Sequence, residues 1–238
     1  MHHDHRRASE DQRDLVWRTL VERQIGAVRS GMAREFLEGL ERSALDPARM
    51  PRHASLSRKL EDLCGWRIET VPGLIPARDF FALLRDRRFP SPDWIRHPDD
   101  LEYTPEPDAF HDLFGHVPQL ASSPYSDVLG RLADAARDAS DAELAEVERV
   151  YWFTIEFGLV QEGAAVRALG AGLASSIAEL ERALRSPGVR RRPFLIQEAR
   201  HQGFQTDQPQ ELYLVAPGLA ALAASLAGLG PASQRRAG

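Results

Sequence analysis

The chain has 238 residues, enough for one large domain or two small ones, and its 43% hydrophobic and 27% charged content is ordinary for a folded protein. A formal net charge of −5 argues against a nucleic-acid partner, and the single cysteine, Cys64, excludes an internal disulfide, an all-cysteine zinc site and a cysteine-ligated iron–sulfur cluster. No stretch approaches eighteen apolar residues and the start of the chain is polar, so neither a membrane span nor a secretory leader is expected, and a reduced cytoplasmic setting fits.

Residues 1–8 hold three of the eight histidines and read as a disordered polar tail. Ser9 and Gln12 have the spacing of a capping box, which predicts a helix over 9–24. A second helix is predicted over 33–44, where Phe36, Leu37, Leu40 and Ala44 share a stripe, and a third over 56–63, before Gly65. Residues 67–71 alternate weakly and suggest a short strand; a helix over 78–85 follows a loop containing Pro72, Gly73 and Pro76. The connection with Pro90, Pro92, Pro98, Pro105 and Pro107 reads as a stiff loop. Asp108 is a good N-cap for a helix to about Pro118, and two more helices are expected over 126–139 and 142–158. Then come a loop of small residues at 170–172, a helix over 176–184, an arginine-rich turn at 190–192 and a strand over 211–215. Leu219, Leu222, Leu226 and Leu229 mark a last helix over 219–229, too short for a convincing coiled coil and better suited to packing on its own domain. Residues 231–238 read as a flexible tail, leaving 9–230 as one mainly α (α+β) domain.

The most informative stretch is Pro107-Asp108-Ala109-Phe110-His111-Asp112-Leu113-Phe114-Gly115-His116-Val117-Pro118, with two imidazoles five residues apart in an apolar segment. Forty residues after His116, Glu156 is the one charged residue in Val150-Tyr151-Trp152-Phe153-Thr154-Ile155-Glu156-Phe157-Gly158-Leu159-Val160. A buried carboxylate needs a partner, and a divalent metal shared with the histidines would serve. Two histidines and one carboxylate form the facial triad of non-haem Fe(II) oxygenases. Against this, residues five apart on an ideal helix point about 140° apart. The pair could equally be hydrogen-bonded structural histidines, Asp112 competes as a ligand, and a zinc hydrolase is a rival even though the H-E-x-x-H arrangement is absent.

In order along the chain, several further segments resemble the tetrahydropterin-dependent aromatic amino acid hydroxylases. They are Val16-Trp17-Arg18-Thr19-Leu20, Val71-Pro72-Gly73-Leu74-Ile75-Pro76, Phe80-Phe81-Ala82-Leu83-Leu84, Arg88-Phe89-Pro90, Tyr103-Thr104-Pro105-Glu106-Pro107-Asp108, the His111–Pro118 motif, the stretch around Glu156, and Gly170-Ala171-Gly172-Leu173-Ala174-Ser175-Ser176. The resemblance implies a helical catalytic domain around an iron-containing cleft, with Fe(II), a tetrahydropterin and O2 as its chemical partners. It also implies a free aromatic amino acid as substrate, with hydroxylation of phenylalanine to tyrosine expected first. Tryptophan 5-hydroxylation and phenylalanine 3-hydroxylation are alternatives on the same site; a monomer or weak homo-oligomer is expected.

By the same resemblance, His111, His116 and Glu156 would ligate iron, and Tyr151 would lie close by as a further catalytic group. Arg96 would fork onto the substrate carboxylate, with Thr104 and Ser175 on the substrate backbone, and Pro107 and Trp152 would wall the ring. Gly73, Ile75 and Ala77 would form the pterin loop, Phe80 would stack on the pterin and Asp112 would contact it. Three departures from the family pattern bear on substrate and pterin preference: Leu169 where a tyrosine is usual, Glu148 where a small residue is usual, and a slightly expanded Gln208–Tyr213 segment.

Overall fold

The computed structural model describes residues 9–102 and 104–230; the two expected tails and Tyr103 lie outside them. Helix α1 (Glu10–Gly31) opens on the predicted capping box, with Ser9 and Gln12 each bonding the other's backbone N–H. It runs beyond the expected end at residue 24. Val28 keeps the buried stripe of Val16, Trp17, Leu20, Val21 and Gln24 going, and Gly31 meets Leu180 and Leu184 closely. That packing outweighs the local weakness of Gly26.

Helices α2 (Arg34–Ser43) and α3 (His53–Cys64) follow; α3 ends at Gly65 in the left-handed conformation. Strand β1 (Arg67–Thr70), helix α4 (Ala77–Arg85) and strand β2 (Arg88–Ser91) form a crossover in which the strands pair in parallel. The prolines had assigned β2 to a loop. Proline is tolerated there because a two-stranded sheet is all edge, and Pro90 simply faces Glu69.

The expected motif helix and the helix expected over 142–158 both depart from α geometry. Residues His111–His116 form a π-helical turn leading into the short α5 (Val117–Leu120). After α6 (Ser123–Ala136), α7 (Asp141–Tyr151) starts on a second capping box, Ser140 with Glu143, and passes into another π turn, Trp152–Glu156.

A four-stranded sheet has the order β4-β3-β6-β5. Strands β3 (Leu159–Glu162) and β4 (Ala165–Ala168) form a hairpin that weak alternation left unpredicted. The small-residue segment expected as a loop carries the one-turn helix α8 (Ala171–Ala174). Beyond α9 (Ile177–Arg185), the expected arginine-rich turn is strand β5 (Arg190–Pro193). Arg191 there does not face solvent: its guanidinium donates to the carbonyls of Ala183 (2.6 Å), Ser186 (3.0 Å) and Arg182 (3.2 Å), capping the end of α9. The chain closes with α10 (Ile196–Ala199), β6 (Leu212–Ala216), α11 (Leu219–Ser225) and a 3-10 turn to Gly228. Leu219, Leu222, Leu226 and Leu229 are all buried in the same core, where α11 packs on α6.

One hydrophobic core runs from Val16 to Leu229. At its centre Trp17 meets the rings of Phe110 (5.6 Å) and Phe114 (6.5 Å) edge-on, which locks the motif segment against α1. Among the described residues no helix is long and apolar enough to cross a membrane.

Candidate metal centre and substrate cleft

The two π turns solve the geometric problem posed by the sequence. In a π turn the backbone bonds run from residue i to i+5, so residues five apart sit one above the other. The Val117 N–H donates to Asp112 O, and the Phe157 N–H donates to Trp152 O at 2.8 Å. His111 and His116 therefore share a face. Each turn is held at close range by the α8 segment: a Cβ on Gly115 would lie 2.9 Å from Ala171 O, and one on Gly170 would lie 2.0 Å from Glu156 O. Glycine at both places lets the backbones touch.

As a result His111, His116 and Glu156 offer ligand atoms all within 4.8 Å of one another. His116 Nε2 lies 3.1 Å from Glu156 Oε1, and His111 Nε2 lies 3.4 Å from Glu156 Oε2. Ligands about 2.1 Å from one ion are about 3.0 to 3.4 Å apart at right to tetrahedral angles. Asp112, the competing ligand, stays outside the cluster.

The outer nitrogens fix the tautomers. Gln119 Nε2 donates to the carbonyls of Ile155 (3.0 Å) and Leu169 (3.1 Å), so its Oε1 must face His116 Nδ1, 3.0 Å away, and accept its proton. Ser175 Oγ gives its one proton to Ala171 O (2.9 Å), so it accepts from His111 Nδ1, also at 2.9 Å. Both Nε2 atoms of the neutral rings then present lone pairs towards a carboxylate. A lone pair facing an anion at this distance calls for a cation between them, and a divalent metal satisfies all three groups at once. Before a metal binds, the same groups pair through a proton: burial would raise the Glu156 pKa, but the two imidazoles hold it well below the carboxylate range, and burial would lower that of His111, but Glu156 holds it above its ordinary value; a bound cation would displace that proton. Tyr151 adds a buried hydroxyl close to Glu156; burial and that carboxylate keep it protonated.

Around this centre lies a cleft of about 670 Å³, and every residue to which the resemblance gave a role lines it. Gly73, Ile75, Ala77 and Phe80 are among its lining residues. Phe80 meets Tyr151 (5.3 Å), Phe81 (5.4 Å) and Phe89 (6.2 Å) edge-on and is half-buried. Asp112 is pushed up to about 6 by burial, which the two histidines only partly oppose. Pro107, Trp152, Ser175 and Thr104 line it as well, and the Thr104 hydroxyl donates to Glu106 O at 3.0 Å.

Arg96 is buried and already paired: Nε and Nη2 donate to Asp108 Oδ2 and Oδ1 at 2.8 and 2.9 Å, and Nη1 donates to Leu101 O at 3.3 Å. Three of its five N–H donors are thus used, leaving one on each terminal nitrogen, an open fork edge. Asp108 also accepts from the backbone N–H groups of His111 and Arg96, so the N-cap read from the sequence also ties the motif to the arginine.

Gln119 and the second role of Asp108 were missed in the sequence. A signal existed for Gln119: it is the sole polar residue of Val117-Pro118-Gln119-Leu120-Ala121, the same pattern that drew attention to Glu156. Of the departures, Glu148 and Gln208 line the cleft, whereas the Leu169 side chain is fully buried elsewhere; only its carbonyl serves the site, accepting from Gln119 and Tyr125.

Comparison with known proteins points the same way. Residues 15–230 match the family model of biopterin-dependent aromatic amino acid hydroxylases. The phenylalanine-4-hydroxylase of Mesorhizobium japonicum is 41% identical over 214 residues, covering 89% of this chain and 78% of the relative. That of Chromobacterium violaceum is 40% identical over 201 residues, covering 84% and 68%. The crystal structure of the C. violaceum enzyme with bound Fe(III) superposes with a TM-score of 0.89 at 38% identity, over 93% of this chain and 81% of the other. Its form with iron(III) and oxidised cofactor 7,8-dihydrobiopterin gives 0.88, over 92% and 80%.

Proposed function

Because the chain belongs to the biopterin-dependent aromatic amino acid hydroxylases, we propose that it is an iron- and tetrahydropterin-dependent monooxygenase that converts free phenylalanine to tyrosine. The observation that carries this reading is the set of His111, His116 and Glu156 converging at the floor of an aromatic-lined cleft, with both Nε2 lone pairs turned inward. These three residues would hold Fe(II) and leave coordination positions open. Bound iron supplies O2 activation, using electrons from the tetrahydropterin.

The chain's own residues bind, orient and dry the reactants. The free edge of the Arg96 fork takes the substrate carboxylate, held in place by Asp108. Thr104 and Ser175 flank the substrate backbone, and Pro107, Trp152 and the His111 ring wall its side chain. Phe80 offers a face to the pterin over the loop of Gly73, Ile75 and Ala77, with Asp112 beside it. Tyr151 lends a buried, protonated hydroxyl next to Glu156. Residues 9–230 act as one catalytic domain, cytoplasmic and monomeric or weakly self-associating. In support, the large apolar side chains left exposed among the described residues, Leu15, Leu74 and Leu195, sit on three separate segments.

The test is incubation of the protein with Fe(II), a tetrahydropterin, O2 and each aromatic amino acid, followed by the mass and position of the new hydroxyl. Tyrosine from phenylalanine is expected. Hydroxytryptophan or 3-hydroxyphenylalanine as the main product would change the substrate assignment, and turnover with zinc alone would overturn the iron reading.

A further inference from the structure

Trp152 lines the cleft, and it is held by groups outside its own turn as well as within it. Two rings contact its indole: Phe204 is stacked on it at 4.4 Å and 14°, and Phe157, at the end of the same turn, is tilted at 4.6 Å. Its Nε1 donates to Gln210 Oε1 at 3.0 Å. Gln210 is buried, and its Nε2 donates to the carbonyls of Gln205 (2.9 Å) and Gln208 (3.1 Å). The amide thus cannot turn round without setting its oxygen against two carbonyls, so Oε1 is fixed as the acceptor. Arg182 Nε in turn donates to Gln210 O at 2.9 Å and ties this segment to α9. The segment falls in the part of the chain that departs from the family pattern, and Phe204, Gln208 and Gln210 line the cleft.

The geometry points to Gln210 as a positioning residue that sets the plane of Trp152, and through it the size of the ring the cleft accepts. A pinned indole leaves a fixed gap suited to a single six-membered ring; a released indole can swing towards the loop and admit a bicyclic one. This inference rests on the hydroxylase reading. Gln210→Met, similar in shape but unable to bond, should lower the phenylalanine-over-tryptophan ratio of kcat/KM roughly fivefold, about what losing one such hydrogen bond would do. It should also shift the emission of Trp152 and weaken phenylalanine binding measured by calorimetry.

The decisive arm is the double-mutant cycle with Trp152→Phe. If Gln210 acts through the indole, Gln210→Met adds nothing in that background; if it only braces its own loop, the loss persists and the inference falls. An unchanged ratio in Gln210→Met also overturns it. Should that variant not fold, Phe204→Leu, which removes the stacking ring and keeps the amide, must lower the ratio, and no change there rejects the idea. If the wild-type protein hydroxylates no aromatic amino acid, the hydroxylase reading fails by itself. Calorimetric binding of phenylalanine and tryptophan across the same variants then decides the role of Gln210.

Discussion

His111 and His116 are each held at Nδ1 by a group whose own hydrogen bonding leaves it no alternative. Such outer partners commonly matter tenfold to a hundredfold for metal affinity. Gln119→Leu should therefore weaken Fe(II) binding by about that factor while the fold survives, as measured by anaerobic titration with a competing chelator; unchanged affinity would show that the orientation of His116 is set by packing alone. Arg96 is a different kind of residue. Its planar fork serves Asp108 on one edge and gives one further N–H to Leu101 O, leaving one donor on each terminal nitrogen. Lysine can supply charge but cannot span both partners, so Arg96→Lys should raise the KM for the amino acid strongly and lower kcat less. Steady-state kinetics at saturating pterin reads this directly.

The two π turns and α8 form a layered unit whose spacing is set by backbone contact. Gly170→Ala would place a methyl group 2.0 Å from Glu156 O, so the turn carrying the carboxylate must shift. A cost of about 1–3 kcal/mol in stability is expected, together with weaker iron binding, from chemical unfolding with and without metal. Elsewhere α3 begins at His53, whose Nδ1 meets Thr70 Oγ1 at 3.0 Å and whose Nε2 is buried without a partner among the described residues. Burial lowers its pKa from the ordinary 6.5, which Asp93 opposes and Arg13 reinforces. The unfolded chain then takes up this proton at higher pH than the folded one. The stability His53 contributes is thus full above 6.5 and is lost as the pH falls through 6.5 towards the folded value. The drop in melting temperature from about pH 7.5 to about pH 5.5 should be smaller in His53→Gln than in the wild type.

At the scale of the whole molecule, the metal ligands come from two segments forty residues apart, α8 wedges them together, and one core surrounds both. A ligand that binds this assembled site and not the open chain stabilises the fold. Fe(II) at a hundred times its Kd should add about 2.7 kcal/mol, several degrees in melting temperature for a chain of this size. Alanine in place of His111, His116 or Glu156 should abolish that shift and the iron-dependent turnover while the metal-free protein melts cooperatively. A full shift in any one of the three would remove that residue from the metal site.

What the residues alone fixed was local or chemical. Ser9 with Gln12 wrote the start of α1, and Asp108 wrote the N-cap of the motif, because both signals act within one turn of chain. Glu156 stood out because a lone charge in an apolar stretch must be neutralised wherever it ends up. Contacts between distant segments were not legible. Nothing near Arg190–Pro193 announces a strand, because that strand exists only beside Leu212–Ala216 and its Arg191 is consumed by the end of α9. A periodicity of 3.6 placed His111 and His116 on different faces; the π turn that reunites them needs Gly115 pressed against the Ala171 backbone, as the turn that brings Glu156 to them needs Gly170 against its own. The chemistry of the site was thus determined by residue type, while its geometry was decided by close packing, in which each backbone position depends on atoms many residues away.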